Sequence, residues 1–481
     1  LITQKEEKMR RLKRGSTNIR RRLFAVVIVV VLAVSSICLG YSGGLGTLEE
    51  PYRIANKADL LELAGSTEDY NKCFILTADI NMGGQVFTTA IIAADTSSDD
   101  YFQGTAFMGT FDGNSHKITN FTINGGSNYY LGLFGYIDAG GTVKNLGLEN
   151  CEVSGWDYVG GLVGLNYYDG TVSNCYSTGA VSGVSWVGGL MGINHFGTVS
   201  ICYAAGNVFG SGSVGGLVGY NNYGTVSKCY AAGTVSGVAY VGGLVGYRYY
   251  GTVSNCYARG SVSGGYWYVG GLVGWNNSTV SNCYSTGSVS GSSIGGGLVG
   301  YDYFGTVTAS FWDIDTSGQA TSAGGTGKTT AEMQTKSTFT DAGWDFVGEV
   351  INGPNDIWKI CEGTNYPKLS WQIPLLGDFV CPDGVEMNDL AELCEEWLLK
   401  ELSSDVWPEG GDGIVNFFDW AELANEWQVS IDFEALADFA KQWLKTGARY
   451  CIADIAPAEG GDGIVNMPDF AVLANNWLAR N

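Results

Sequence analysis

Along the middle of the chain, short apolar runs alternate with glycine and small polar residues, and none has helical length or spacing. The stretch VGGLVGYNNYGTVSKCYAAGTVSG, Val214 to Gly237, is representative. Its valines and tyrosines fall in three runs, VGGLVGY, TVSKCY and GTVSG, each bounded by Gly, Asn or Ser. That pattern predicts short β-strands.

The stretch repeats. Gly-Leu-Val/Met-Gly begins at Gly161, Gly189, Gly216, Gly243, Gly271 and Gly297, in steps of 28, 27, 27, 28 and 26 residues, with a degenerate copy at Gly132. The threonine that follows falls at 142, 171, 198, 225, 252, 279 and 306, and every step after the first is 27. Two or three strands per unit, without long connectors, fit one turn of a parallel β-solenoid (β-helix) of about 27-residue coils. Coils would stack ~4.8 Å apart, the spacing of strands in a sheet. Equivalent residues then form ladders: Leu162, Leu190, Leu217, Leu244, Leu272 and Leu298 inside, with Val172, Val199, Val226, Val253, Val280 and Val307. The glycine pair before each leucine would serve a positive φ or a close backbone approach at a corner. Cys175, Cys202, Cys229, Cys256 and Cys283 keep the same period, as a disulfide or metal ladder or as small buried side chains in a stack.

At this point the repeats resemble a known family. The GGLVG cores at Gly160–Gly164, Gly215–Gly219, Gly242–Gly246 and Gly270–Gly274 are similar to GLUG repeats, and the resemblance runs from about Tyr52 to Trp371. It implies a bacterial surface or secreted protein; such repeats also occur in non-catalytic parts of some IgA-cleaving metalloproteases. The zinc-protease signature His-Glu-x-x-His is absent.

Beyond about Pro374 the pattern changes to a helical one. LAELCEEW, WAELANEW, LADFAKQW and FAVLANNW, ending at Trp397, Trp427, Trp443 and Trp477, place apolar residues at i, i+3, i+4 and i+7, which predicts four short amphipathic helices. Two follow the loops PEGGDGIVNFFD and AEGGDGIVNMPD. Against a calcium loop, Asp412, Asn416 and Asp419, and Asp462, Asn466 and Asp469, take oxygen-donor positions. An earlier segment contributes Asp383 and Asp389 with irregular spacing. The arrangement resembles dockerin type I segments, which implies calcium and a cohesin-like or cell-surface partner. Donor positions 1 and 3 are lost to Pro408 and Gly410, and to Ala458 and Gly460. Helix capping by Asp419 and Asp469 is the competing reading.

The fold class expected is therefore mainly β: a parallel β-solenoid followed by a small all-α dockerin-like region. Residues 1–40 are an export signal or anchor, 41–131 lead-in coils, 132–310 the repeats, 311–374 an exit segment and 375–481 the dockerin-like region.

Charge narrows the partners. Of 481 residues, 48 are acidic and 26 basic, a formal charge of −22, and nine of the basic ones precede Leu23. The remainder repels nucleic acid. The basic start runs into a largely apolar run of 17 residues, Leu23 to Leu39, the form of an export signal, or of a membrane anchor if uncleaved. The bulk is expected outside the cell.

Candidate chemistry is sparse. GGTGKTT at Gly324 to Thr330 lacks the first glycine of a phosphate loop, where Ser322 stands, and reads as an ordered turn. Asp112 near His116 is the best catalytic candidate, set against a turn role for Asp112-Gly113. Aromatic residues follow each Gly-Leu-Val-Gly: Tyr167, Tyr168, His195, Phe196, Tyr220, Tyr223, Tyr249, Tyr250, Trp275, Tyr303 and Phe304. A second line holds Trp156, Tyr158, Trp186, Tyr240, Trp267 and Tyr268. With Asn166, Asn194, Asn221, Asn222, Asn276 and Asn277 among them, they either stabilise a ladder or hold a glycan by ring contact and amide hydrogen bonds. The leading reading is an exported, non-catalytic binding or adhesion protein. Its competitor is an extracellular polysaccharide hydrolase or lyase carrying a dockerin.

Overall fold

The computed structural model describes residues 40–97, 99–291 and 295–372. They fall into two units, one ending at Thr330 and the other beginning at Ala331.

The first unit is a parallel β-solenoid of about seven coils. Strands of one coil occupy Gly212–Gly215, Val218–Asn222, Thr225–Ser227 and Tyr230–Ala231. Each pairs in parallel with its equivalents one coil before and after. The threonine column is the clearest case, running through residues 110, 142, 171, 198, 225, 252, 279 and 306 without a register break. A separate seven-stranded sheet follows the same order, from Phe134–Ile137 through Val163–Tyr167 and Met191–His195 to Val299–Asp302.

Cohesion runs along the axis. The leucine N–H groups donate rung to rung, Leu190 to Leu217 at 3.0 Å, Leu217 to Leu244 at 2.9 Å and Leu244 to Leu272 at 2.8 Å. All six leucines of that column are buried. The valines at 172, 199, 226, 253 and 280 are buried too, while Val307 at the end of its column is only partly covered. One coil cannot bury its own apolar side, and stacking makes the core continuous.

The corners decide between the two roles expected of the paired glycines. Left-handed backbone recurs at up to three places per coil, and side-chain-bearing residues supply most of it. Asn174, Ile201, Lys228, Asn255 and Asn282 hold one corner; Tyr158, Trp186, Ser213, Tyr240 and Tyr268 a second; Asp169, Phe196, Tyr223, Tyr250 and Phe304 a third, all with φ between 42° and 61°. The paired glycines serve close approach instead. A Cβ on Gly215 would lie 2.0 Å from the Val218 carbonyl oxygen, and one on Gly216 equally close to that of Gly243.

The solenoid begins under a helix, Lys57–Gly65, whose first N–H groups are met by the Asn56 side chain. Leu60 and Leu63 are buried in the same core as Phe74, Phe107, Phe111 and Phe134. Covering the first coil protects an edge that would otherwise pair with another chain. At the far end Phe311–Asp313 pairs in parallel with Thr326–Lys328, so the glycine-rich segment mistaken for a simple turn contains a strand.

In the second unit, Trp344 and Trp358 pack with ring centroids 4.5 Å apart, beside buried Phe339, Phe346 and Leu369. A two-stranded antiparallel pair, Trp358–Lys359 with Lys368–Leu369, holds the cluster.

Candidate functional site

Each coil projects the same residue types at the same places, so the functional surface of the solenoid is a set of ladders. The residues read as one aromatic stripe separate into three. Tyr168, Phe196, Tyr223 and Tyr250 stand at the third corner, 40–49 % exposed. Their rings stack along the axis at 5.3, 4.8 and 4.8 Å, tilted by no more than 19°. Beside them Tyr167 stacks on His195 at 4.8 Å, and Asn222 Nδ2 lies 2.6 Å from His195 Nδ1. Burial lowers the His195 pKa, keeping the ring neutral in its stack. A third ladder, on the outer side of the seven-stranded sheet, runs through Tyr136, Leu165, Ile193, Tyr220, Tyr247 and Trp275 in register. There Tyr247 and Trp275 stack at 4.4 Å. Tyr130, Tyr158 and Trp186 pack beside it, and Ser213 interrupts that neighbouring line.

Four of the six amides point the other way, while Asn222 and Asn277 stay half-buried. Asn166, Asn194, Asn221 and Asn276 are fully buried, which removes them from any surface role. Asn166 Nδ2 donates to Asn194 Oδ1 at 2.9 Å and Asn194 Nδ2 to Asn221 Oδ1 at 2.8 Å. Each also donates to a backbone carbonyl of its own coil, Gly170, Gly197 or Gly224. Arg248 takes the next rung. Its Nη1 donates to Asn276 Oδ1 at 2.7 Å and its Nη2 to the Gly251 carbonyl at 2.6 Å. Asn276 in turn donates to Asp302 Oδ1 at 2.5 Å. Burial pulls the guanidinium pKa down to about 10.

One ladder escaped the sequence reading. Tyr176, Tyr203, Tyr230, Tyr257 and Tyr284 stack nearly parallel, with centroids 4.8, 4.8, 5.0 and 4.9 Å apart. The signal was present, since each follows a cysteine of the constant-period column.

The cysteines at 175, 202, 229, 256 and 283 are free and buried, and no disulfide joins them. Each thiol donates to the carbonyl two residues back, as in Cys229 to Ser227 at 3.1 Å. Burial pushes the Cys175, Cys229 and Cys256 thiols well above their ordinary value. Ser310 continues the column and keeps the same bond to the Thr308 carbonyl.

Asp112 and His116 are each held by other partners. Asp112 accepts from the Asn114 N–H at 2.8 Å, the bond that shapes the turn, and from Asn145 at 2.9 Å, and pairs with Lys144 at 3.1 Å. Burial raises its pKa, but these donors outweigh that and hold it low. His116 Nδ1 pairs with Asp79 at 3.0 Å. Glu149 is lowered by its hydrogen bond from Lys117 at 2.9 Å and then by one from Tyr176 at 2.8 Å.

Asp383, Asp389, Asp412, Asn416, Asp419, Asp462, Asn466 and Asp469, the four C-terminal helices and the apolar run 23–39 lie outside the described residues. Among the described residues no helix is long and apolar enough to cross a membrane.

Comparison with known families matches residues 157–182, 210–236, 237–263 and 265–290 to the GLUG motif. The chain carries GLUG repeats. The coil at 183–209, between the first two matched segments, pairs in the same register with its neighbours on both sides. Halomucin of Haloquadratum walsbyi is 38 % identical over 145 residues, 29 % of this chain and 2 % of halomucin. A protein named as a Gly-rich membrane protein, of Evansella cellulosilytica, is 45 % identical over 76 residues, 15 % of this chain and 8 % of that one. The chain thus spans only a small part of either relative. A Bacteroides ovatus crystal structure, described as an immunoglobulin A1 protease, aligns with a TM-score of 0.47 and 25 % identity, covering 69 % of this chain and 96 % of that one.

Proposed function

We propose that this is an exported, non-catalytic binding protein of the cell surface, whose GLUG solenoid recognises a glycan or another surface ligand. The observation that carries the reading is the exposed ladder Tyr168–Phe196–Tyr223–Tyr250, a straight row of ring edges at a spacing close to one sugar unit. Aromatic surface at low conformational cost is what recognition sites use. The likeness of its repeats to segments of halomucin and of a Gly-rich membrane protein supports a surface location.

In this reading the dockerin-like region is the attachment device. Its support is the sequence: Asp412, Asn416 and Asp419 in one loop and Asp462, Asn466 and Asp469 in the other would give calcium hard oxygen ligands, with Asp383 and Asp389 as a third, irregular set. A cohesin-like or cell-surface partner would take the helices beside them.

The test is a panel of soluble and insoluble polysaccharides incubated with the full chain. Binding without release of reducing ends or unsaturated sugars supports the proposal. Turnover would replace it with a polysaccharide hydrolase or lyase. A melting temperature that is the same in calcium and in chelator would remove the metal from the tail.

A further inference from the structure

The stacked ladders share a limitation as sugar platforms: each ring covers the face of the next and leaves only its edge to solvent. A pyranose packs best on an uncovered ring face. The solenoid has such a face where its repetition fails. On one side of the buried valines at 181, 208 and 235, the outward column reads Ser154, Ser182, Phe209, Ser236, Ser263 and Ser290, in continuous register. Phe209 is 61 % exposed, and with serine above and below it contacts no other ring among the described residues. The coil it belongs to, 183–209, is one that the GLUG motif does not match.

The ring stands in a shallow groove of about 650 Å³ crossing five coils, from Asn124 to Ser236. Four intervals of ~4.8 Å make it ~19 Å long, the length of a short oligosaccharide. The neighbouring outward column departs from the repeat here too. Asn207 stands where the next coil has Thr234, and Glu152 where the following one has Ala180. Asn207 Oδ1 accepts from the Thr234 N–H at 3.1 Å, which fixes the amide and leaves its Nδ2 to donate outward. The groove therefore combines one open aromatic face with an amide donor, a carboxylate and hydroxyls at Ser182 and Ser236, the mixture that small polar ligands require.

We infer that this groove is a glycan-binding subsite with Phe209 as its stacking platform, taking a short run of neutral sugars. Acidic sugars are disfavoured by Glu152 and by the formal charge of −22 on the chain. The inference rests on the reading of the solenoid as a glycan-recognising surface, and places the principal ring contact in this groove in addition to the edge contacts of the exposed ladder.

Phe209→Ser separates the two. It restores the residue found in the adjacent coils, so the fold should be retained, with circular dichroism and melting as controls. The probes are linear oligosaccharides of glucose, xylose, N-acetylglucosamine and galacturonate, titrated calorimetrically into the full chain. The expected result is binding of at least one neutral series and none of galacturonate. Phe209→Ser should weaken it about ten-fold or more, and by more than Tyr223→Ser does. Unchanged binding in Phe209→Ser with loss in Tyr223→Ser overturns the subsite and leaves the ladder reading standing. Binding that neither substitution weakens overturns the subsite and the ladder as the contacts, and leaves only the glycan-binding reading standing. No binding of any series by the natural chain overturns both.

Discussion

Tyr203 lies over Tyr230 with ring centroids 4.8 Å apart and planes within 3° of parallel. The two are equivalent residues of consecutive coils, paired in register by their strands. Burial first, and then the neighbouring phenols and carboxylates, push the pKa of Tyr203 up to about 12; Tyr136, Tyr176 and Tyr220 are raised as well. In the unfolded chain these groups lose their protons near 10.0. Between about pH 10 and 12 the unfolded state therefore binds fewer protons, and stability falls as pH rises through that window. An alkaline titration followed by tyrosinate absorbance and circular dichroism should show part of the tyrosine ionising only as β-structure is lost. Complete ionisation with the fold intact would contradict the ladder's burial.

The corner at Ile201 is the costliest of its column. A β-branched residue is a poor occupant of left-handed backbone, and this one has φ 56° where Asn174, Asn255 and Asn282 hold the equivalent corner. Ile201→Asn should stabilise the protein by about 1 kcal/mol, read as a higher urea midpoint at unchanged slope. A lower midpoint would show that the isoleucine side chain contributes more by packing than the corner costs.

These corners also mark where sequence reading reached its limit. The period of 27 residues between Cys175, Cys202, Cys229, Cys256 and Cys283 was enough to anticipate stacked, buried columns, because a constant spacing in a solenoid means a shared place. Orientation was harder. Asn221 and Asn222 are adjacent and chemically identical, yet Asn221 is fully buried and Asn222 is not, because successive strand residues face opposite sides. For the paired glycines the sequence leaves positive φ and close backbone approach as alternatives, and only the structure decides for the second, because neighbouring backbone leaves no space for a Cβ. Phe209 was passed over because it recurs in no other unit.

Arg248 occupies a rung that asparagine fills in neighbouring coils. Its buried guanidinium satisfies the Asn276 and Gly251 oxygens but leaves its own Nε without a partner. Arg248→Asn should restore the amide ladder and remove a desolvated charge, raising stability by about 1–2 kcal/mol. Arg248→Met, which deprives both acceptors, should lower it by about 2 kcal/mol. Equal losses in the two variants would show that the charge itself is needed, through Asp302.

The buried cysteine column should be chemically silent. Cys202, Cys229, Cys256 and Cys283 are 0 % exposed, whereas Cys73 is partly open. In native protein a thiol reagent should modify Cys73 and spare the column until denaturant is added, as mapped by mass spectrometry. Rapid native labelling of Cys229 would mean that the coils open locally.

Residues 210–236 form one full coil whose neighbours above and below present matching columns, Thr198 and Thr252 on either side of Thr225. If each coil is held by the next rather than by a globular centre, this segment is removable: Phe209 joined to Gly237 places the Thr198 and Thr252 columns in contact. Thermal unfolding of that deletion, followed by circular dichroism, is the most direct test. The account predicts a folded β-protein with a melting temperature lowered by only a few degrees, about what loss of one repeat interface costs a stacked array. An unfolded or aggregated product would contradict it.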